Sequence, residues 1–443
     1  MPRDASMTWL EENRTETSSA PDRPPAGSRF LFYSHDGLGL GHTRRHLAVA
    51  RALTELAPES SVLLATGSDV VSQLGLTTRI DILKLPGLRK VANEEYAPRR
   101  LGIPVAEIRS LRSALLYAAI KAYRPAVVLV DKHPLGAKGE LRAGLEELRA
   151  AGGCSVLGVR DILDERANVL KEWSADRMRE RIAEFYDLVL VYGERDVFDP
   201  IAEYRFPENL AARTCFCGYV VNSDDSDALP ESQVNPVPPD NGTGPRVLAT
   251  AGGGEDGFFL LQTFMRAAVG AGWLGIAVAG PMSPALKTLE RLAARANVRL
   301  HTFVPNLSRM FHSVDALVCM GGYNTLAEAV STGVPTVCVP RTFPRREQLI
   351  RARAFERLGL ISVIEPEKLT PENLRRAIQS LIGGSRPRTV GRENSALSFD
   401  GARQAATRLL ALSAAQAVAV PKTTRTKEPA AWNRWANPTN AAG

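Results

Sequence analysis

The feature that most limits what this chain can fold into is an alternation that runs through it twice. Short apolar runs alternate with stretches of helical period. The first series opens with Arg29-Phe-Leu-Phe-Tyr-Ser34 and predicts further strands at 61–66, 80–85, 126–131, 155–159, 188–192 and 213–219. Helices are predicted at about 42–57 and 106–123, with a long loop over 86–105. The second series predicts strands at 246–252, 276–280, 298–303, 316–320, 336–340 and 360–364. Its helices fall at about 256–270, 284–296, 323–332, 347–358 and 371–382. Strands apolar on both faces need cover on both sides, as in a parallel sheet between two helical layers. The prediction is an α/β protein of two Rossmann-like, doubly wound domains. Ligands of such sheets sit at the carboxyl ends of the strands, so two facing units would enclose a cleft.

Punctuation in the sequence sets the boundaries. Residues 1–27 form a polar tail expected to be disordered, and 28–220 the first α/β domain. Residues 221–245, dense in Pro, Asp and Asn, read as a linker. The second domain spans 246–400, followed by an alanine-rich helix at 401–420 and a basic, disordered tail at 421–443. A length of 443 residues fits two or three domains at roughly 100–200 residues each.

Composition removes several classes of function. With 44% hydrophobic and 23% charged residues, the chain as a whole is neither disordered nor fibrous. No apolar run approaches the ~20 residues of a membrane span, and the charged start MPRDASMTWLEENR lacks the apolar region of a signal peptide. Five scattered cysteines, without a Cys-x-x-Cys pair, fit a reduced, cytoplasmic protein rather than a zinc site. A formal charge of +7 suits an anionic ligand or an anionic membrane surface. Without a clustered basic stripe or interleaved aromatics it does not suit nucleic acid. Trp432 and Trp435 in the basic tail leave open a peripheral contact with the inner face of a membrane.

Three segments carry chemistry. The first, His35-Asp-Gly-Leu-Gly-Leu-Gly-His42-Thr-Arg-Arg45, follows the first strand. Gly37, Gly39 and Gly41 permit tight turns with bare N–H groups at a helix start, which favours an anion. A nicotinamide-type fingerprint would need an acid closing the second strand, and Asp69 lies beyond it. His42 either caps its own turn or serves a ligand. The second, Ala251 to Gly257, reads as an ordinary turn or as a phosphate cradle of backbone amides, and lacks the ending of a P-loop. The third runs Met320-Gly-Gly-Tyr-Asn-Thr-Leu-Ala-Glu328 to Gly333-Val-Pro335. Its glycine pair and helix start suit a diphosphate at 321–325. Glu328, one turn past Tyr323 and Asn324, is placed to accept both hydroxyls of a ribose. Glu347 and Gln348 open the next helix, where they can reach sugar hydroxyls.

Gly-Tyr-Asn-Thr-x-x-Glu, followed by Gly-Val-Pro and a Glu-Gln pair, resembles the donor region of nucleotide-sugar glycosyltransferases of the GT-B fold. Within them it is most similar to glycosyltransferase family 28, which includes muropeptide N-acetylglucosaminyltransferases. The spacing from Pro340 to Glu347–Gln348 carries that distinction. The resemblance covers most of 28–382 and is strongest over 246–360. It implies a cytoplasmic glycan-building enzyme, inverting and metal-independent, that needs no cofactor. The sugar would pass from a nucleotide-diphospho-sugar, such as UDP-N-acetylglucosamine, to a hydroxyl of a lipid carrier, a glycan or a small molecule.

The resemblance also implies roles. His42 is the general base and Asp131 its orienting acid. Gly253, Gly254, Gly321, Gly322, Asn324 and Thr325 hold the diphosphate, and Glu328 the ribose. Phe303 and Val304 meet the base, and Glu347 and Gln348 the donor sugar. Gly39, Gly41, Arg44, Arg45, Arg99 and Arg100 are candidates for the acceptor side. Met320 stands where some relatives place a phosphate-holding histidine, which shifts that charge to backbone amides, Asn324, Thr325 and Arg341, Arg345 or Arg346. Two other readings remain at this stage: a nucleotide-sugar epimerase or hydrolase, and a catalytically silent nucleotide-sugar-binding subunit.

Overall fold

The computed structural model describes residues 27–34, 41–69, 71, 76–92, 95–175, 177–221, 244–254, 256–384 and 397–419. Nearly all of the predicted tail at 1–27, the whole of that at 421–443, nearly all of the linker, and Gly39 lie outside the described residues.

The first half is built on seven parallel strands: β1 (Arg29–Ser34), β2 (Ser61–Thr66), β3 (Ile80–Lys84), β6 (Val127–Asp131), β7 (Cys154–Arg160), β8 (Leu188–Tyr192) and β9 (Thr214–Phe216). Their order is β3-β2-β1-β6-β7-β8-β9, with Phe30 beside both Val62 and Val127. Every residue of β6 and β8 is buried, as a strand covered on both faces requires. Helices α2 (Val105–Tyr123), α3 (Arg142–Ala150) and α5 (Met178–Phe185) cover one face, bringing Leu116, Ile120, Leu145, Leu148 and Ile182 onto Leu31, Val128 and Val130. Helix α1 (Gly41–Leu56) covers the other with Val49 and Leu53. Each such side chain contributes about 1.5–3 kcal/mol by leaving water.

The second half repeats the design with β10 (Arg246–Thr250), β11 (Leu274–Val278), β12 (Val298–His301), β13 (Ala316–Cys319), β14 (Thr336–Cys338) and β15 (Ser362–Val363). All six are parallel, in the order β12-β11-β10-β13-β14-β15. Helices α6 (Phe258–Ala268) and α10 (Pro371–Gly383) pack on one face; α8 (Tyr323–Thr332) and α9 (Glu347–Arg357) pack on the other. The doubly wound topology read from the alternation is the one observed.

Two features depart from the linear reading. The predicted loop over 86–105 contains an antiparallel hairpin, β4 (Leu88–Ala92) with β5 (Glu95–Pro98), pairing Leu88 with Pro98 and Lys90 with Tyr96. A hairpin outside the main sheet needs no long apolar run, so hydrophobic patterning does not reveal it. The last helix, α11 (Gly401–Ala419), does not stay with the second half. The chain crosses back beside Tyr219, whose N–H donates to the Ser398 carbonyl at 2.8 Å, and α11 lies along α1. One apolar core therefore continues from Phe32 and Leu53 through Tyr219 and Phe399 to Tyr323, Leu326 and Phe355.

Candidate functional site

The first wall of the site is the start of α1 and the end of β6. Asp131 ends its strand fully buried, and His42, in the first turn of α1, brings Nδ1 to 3.1 Å from Asp131 Oδ1. The other carboxylate oxygen takes bonds from Arg45 Nε at 3.1 Å and Nη2 at 2.6 Å, and that Nη2 also lies 3.0 Å from His42 Nδ1. His46 Nε2 is 4.0 Å from the same carboxylate. Three residues of one helix thus converge on one acid, the i, i+3, i+4 geometry of a single helical face. Burial pushes the Asp131 carboxyl up, but Arg45, His42 and His46 together hold it well below the usual range. Burial outweighs the same carboxylate at His46, with Arg45 and His42 adding to the effect, and lowers its pKa to about 4.

The second wall is the start of α8. Gly321 packs directly on the next helix: a Cβ there would fall 2.8 Å from the Gln348 carbonyl. The Gly321 carbonyl accepts from Arg351 Nη1 at 3.0 Å, which turns the Gly322 N–H of the same trans peptide the opposite way. Gly322 is the N-cap of α8 and no side chain among the described residues caps it, a helix start of the kind that suits an anion. Thr325 is half-buried in that first turn. The glycines after β10 lie against the turn after β11. Gly254 has φ +92°, and a Cβ there would sit 2.4 Å from the Ala279 carbonyl, while Gly253 faces Met282.

The two walls touch. Asn324 Nδ2 donates to the Gly41 carbonyl at 3.4 Å, and Arg44 Nη2 donates to Glu328 Oε1 at 2.9 Å. Glu328 is only 5% exposed, yet it belongs to no domain core, because its partner comes from the other half. Tyr323 stacks under both Arg45 and Arg351, at 5.1 and 5.6 Å, and its hydroxyl accepts from the Val220 N–H. Glu347, 4% exposed, accepts from Arg341 Nη2 through Oε1, while its buried Oε2 has no hydrogen-bond partner among the described residues. Gln348 Oε1 accepts from the Arg341 N–H. Phe303 is 46% exposed, whereas Val304 is buried in the core.

Some expected residues sit elsewhere. Arg45, expected on the acceptor side, is buried beneath His42 because three residues along the helix turns it toward β6. Arg99 and Arg100 gather on Asp69 with Lys84. Arg341 is held by Asp256 and Glu347, Arg345 by Glu172 and Asp164, and Arg346 by Glu165, so carboxylates already engage these cations. Motif reading missed Arg351 and Asp161, which lie in ordinary helical or strand-end positions and gain meaning only when the halves meet; His46, read as a possible contact to an anionic acceptor, is buried against Asp131 instead. Among the described residues, no three His, Cys, Asp or Glu side chains converge as a metal site.

Two doubly wound sheets with joined strand ends and a returning C-terminal helix are the GT-B fold. That fold is shared with MurG of Acinetobacter baumannii, with a TM-score of 0.51 and 15% identity over 87% of this chain and 98% of that one. It is also shared with a Listeria monocytogenes protein assigned as a UDP-N-acetylglucosamine 2-epimerase, with a TM-score of 0.57 and 16% identity over 87% and 95%. Within this fold, residues 280–405 match the family model of the glycosyltransferase family 28 C-terminal domain. A 93-residue stretch is 28% identical to UDP-N-acetylglucosamine--N-acetylmuramyl-(pentapeptide) pyrophosphoryl-undecaprenol N-acetylglucosamine transferase of Glaesserella parasuis, covering 21% of this chain and 26% of that enzyme. The chain thus spans about a quarter of the length of the curated relatives it matches at this level.

Proposed function

We propose that this chain is an inverting, metal-independent glycosyltransferase that moves a sugar from a UDP-sugar, such as UDP-N-acetylglucosamine, to an acceptor hydroxyl. The observation that carries the reading is the direct contact of two helix starts. The imidazole–carboxylate pair of one half adjoins the Gly322–Glu328 turn of the other, with Asn324 on the Gly41 carbonyl. With the proton on Nδ1 facing Asp131, and Arg45 Nη2 donating to that carboxylate rather than to the ring, His42 Nε2 carries a lone pair. It removes the acceptor's hydroxyl proton as that oxygen attacks the anomeric carbon. The bond from that carbon to the diphosphate breaks on the opposite face, which inverts the centre. The departing diphosphate takes up charge at the α8 N-terminus, where amides and the helix dipole are already oriented. Glu328 takes the ribose hydroxyls, the backbone of Phe303 and Val304 pairs with the base, and Glu347 and Gln348 read the sugar.

A phosphate-bearing acceptor is proposed with it, as in the relatives' pyrophosphoryl-undecaprenol substrate. In support, a cavity of about 810 Å³ opens on the first half beyond Asp131, lined by His133, Arg109, Lys138, Arg142 and Arg181. Its one acid, Glu140, is neutralised by Arg112. Leu101, Ile103, Val105 and Leu111 are exposed nearby in sequence, which supports a peripheral membrane contact. No helix among the described residues is long and apolar enough to cross a membrane.

The test is His42→Ala. Turnover is expected to fall by about 10²–10⁴-fold while UDP affinity stays unchanged, and a loss of only a few-fold removes the base assignment. An arm with UDP-N-acetylglucosamine and no acceptor separates transfer from epimerisation or hydrolysis. A thermal-shift panel of nucleotide sugars identifies the donor, since a ligand at ~100 times its dissociation constant adds about 2.7 kcal/mol.

A further inference from the structure

We propose that Arg44 is a built-in competitor for the donor: its guanidinium pairs with the carboxylate of Glu328, and the donor's ribose must displace it. The inference rests on the donor site proposed above. Arg44 and Glu328 lie 284 positions apart and on opposite halves, and Nη2 sits 2.9 Å from Oε1. The acid is almost entirely covered, while the arginine is partly exposed, with 23% of its side chain accessible, and is free to swing outward on its long stem.

The chemistry of the exchange is specific. A ribose offers two adjacent hydroxyls, each a donor, and a carboxylate with both oxygens open can take them together. Arg44 holds one of those oxygens with a charge-assisted bond, stronger than either hydroxyl alone can replace. Glu328 therefore serves two partners in turn. Without donor it joins the halves; with donor it holds the nucleoside, and the displaced cation stays at the mouth of a site built for a diphosphate. Its neighbours on α1 do not share this freedom, because Arg45 is buried on Asp131 and His42 faces the same acid. The exchange links donor entry to release of a contact between the halves without moving the Arg45–Asp131–His42 group.

The experiment measures UDP binding by calorimetry to the full chain and to Arg44→Gln, Arg44→Met and Glu328→Gln. Both Arg44 variants are expected to bind UDP about three- to tenfold more tightly, the worth of one partly buried charged bond no longer broken on entry. Glu328→Gln is expected to bind more weakly. If Glu328→Gln binds UDP as the parent does, the donor site itself is misplaced. If it weakens while both Arg44 variants bind equally or less tightly, the site stands and the competition is overturned. A far-UV melt accompanies each variant, and Arg44→Met keeps the aliphatic stem in case the glutamine perturbs folding.

Discussion

Arg351 of the second half donates from Nε and Nη2 to both carboxylate oxygens of Asp161 in the first, at 2.9 and 2.6 Å, with both side chains fully buried. The same guanidinium donates to the Gly321 carbonyl and lies under the Tyr323 ring. One side chain thus fixes the seam between the halves and the turn that opens α8. Around it, Arg345 and Arg346 reach Asp164, Glu165 and Glu172, but these bridges are more exposed.

Replacing Asp161 with Asn keeps the volume and removes the acid to which the buried Arg351 is bonded. The expected loss is about 3–5 kcal/mol of unfolding free energy in urea. Glu165→Gln, which breaks an exposed pair on the same seam, is expected to cost less than about 1 kcal/mol. Equal effects from the two variants would show that burial, as described for Arg351, does not set the strength of the seam.

His46 makes stability depend on pH. Its folded pKa, about 4, lies below the unfolded value of about 6.5, so folding holds the neutral ring. The stabilisation is complete above the unfolded pKa and is lost as pH falls toward the folded one. Between pH 7 and pH 5 the expected loss is about 2 kcal/mol. Asp131 is also depressed, but it releases its contribution only below the usual carboxylate range, so it does not blur this window. His46→Gln should flatten the profile from pH 7 to 5. A slope unchanged by that substitution would assign the titration to another group.

The sequence states the fold class because the buried strands are apolar on both faces and alternate with helices; the strand order is seen only in the structure. It also states the strand–glycine–helix turn proposed for the donor, since Gly321, Gly322 and Glu328 lie within eight residues of one another. The couplings between halves are not legible. Arg44 and Glu328, or Asp161 and Arg351, are long-range pairs of common residue types with no local signal. Arg45 shows the same limit within one helix: its chemistry depends on which face of α1 meets β6, and an arginine in a helix's first turn ordinarily faces water. The hairpin β4–β5 escaped because its strands are short, charged and outside the main sheet.

The glycines after β10 separate backbone strain from crowding. At Gly252, φ is +64° and a Cβ would meet nothing within 4 Å, so Gly252→Ala is expected to cost about 1–2 kcal/mol from conformation alone. At Gly254, φ is +92° and the Cβ would collide with the Ala279 carbonyl, so Gly254→Ala should cost more and weaken UDP binding by moving the turn. Paired urea titrations rank the two. If Gly252→Ala is the more damaging, the turn after β11 is not what fixes this loop.

Glu347 offers the sharpest division between nucleotide and sugar. Its Oε1 is held by Arg341, and its Oε2 is buried without a donor among the described residues, a costly state for a carboxylate unless a ligand hydroxyl supplies the missing bond. UDP lacks the transferred sugar and cannot supply it there; a UDP-sugar can. Glu347→Gln is therefore expected to leave UDP affinity within about twofold while weakening the UDP-sugar about tenfold, a change of about 1.4 kcal/mol. Competition binding of the two ligands against one fluorescent nucleotide measures both on the same sample. A parallel loss for UDP and UDP-sugar would place Glu347 against the nucleotide, and no loss for either would leave its orphaned oxygen without a ligand.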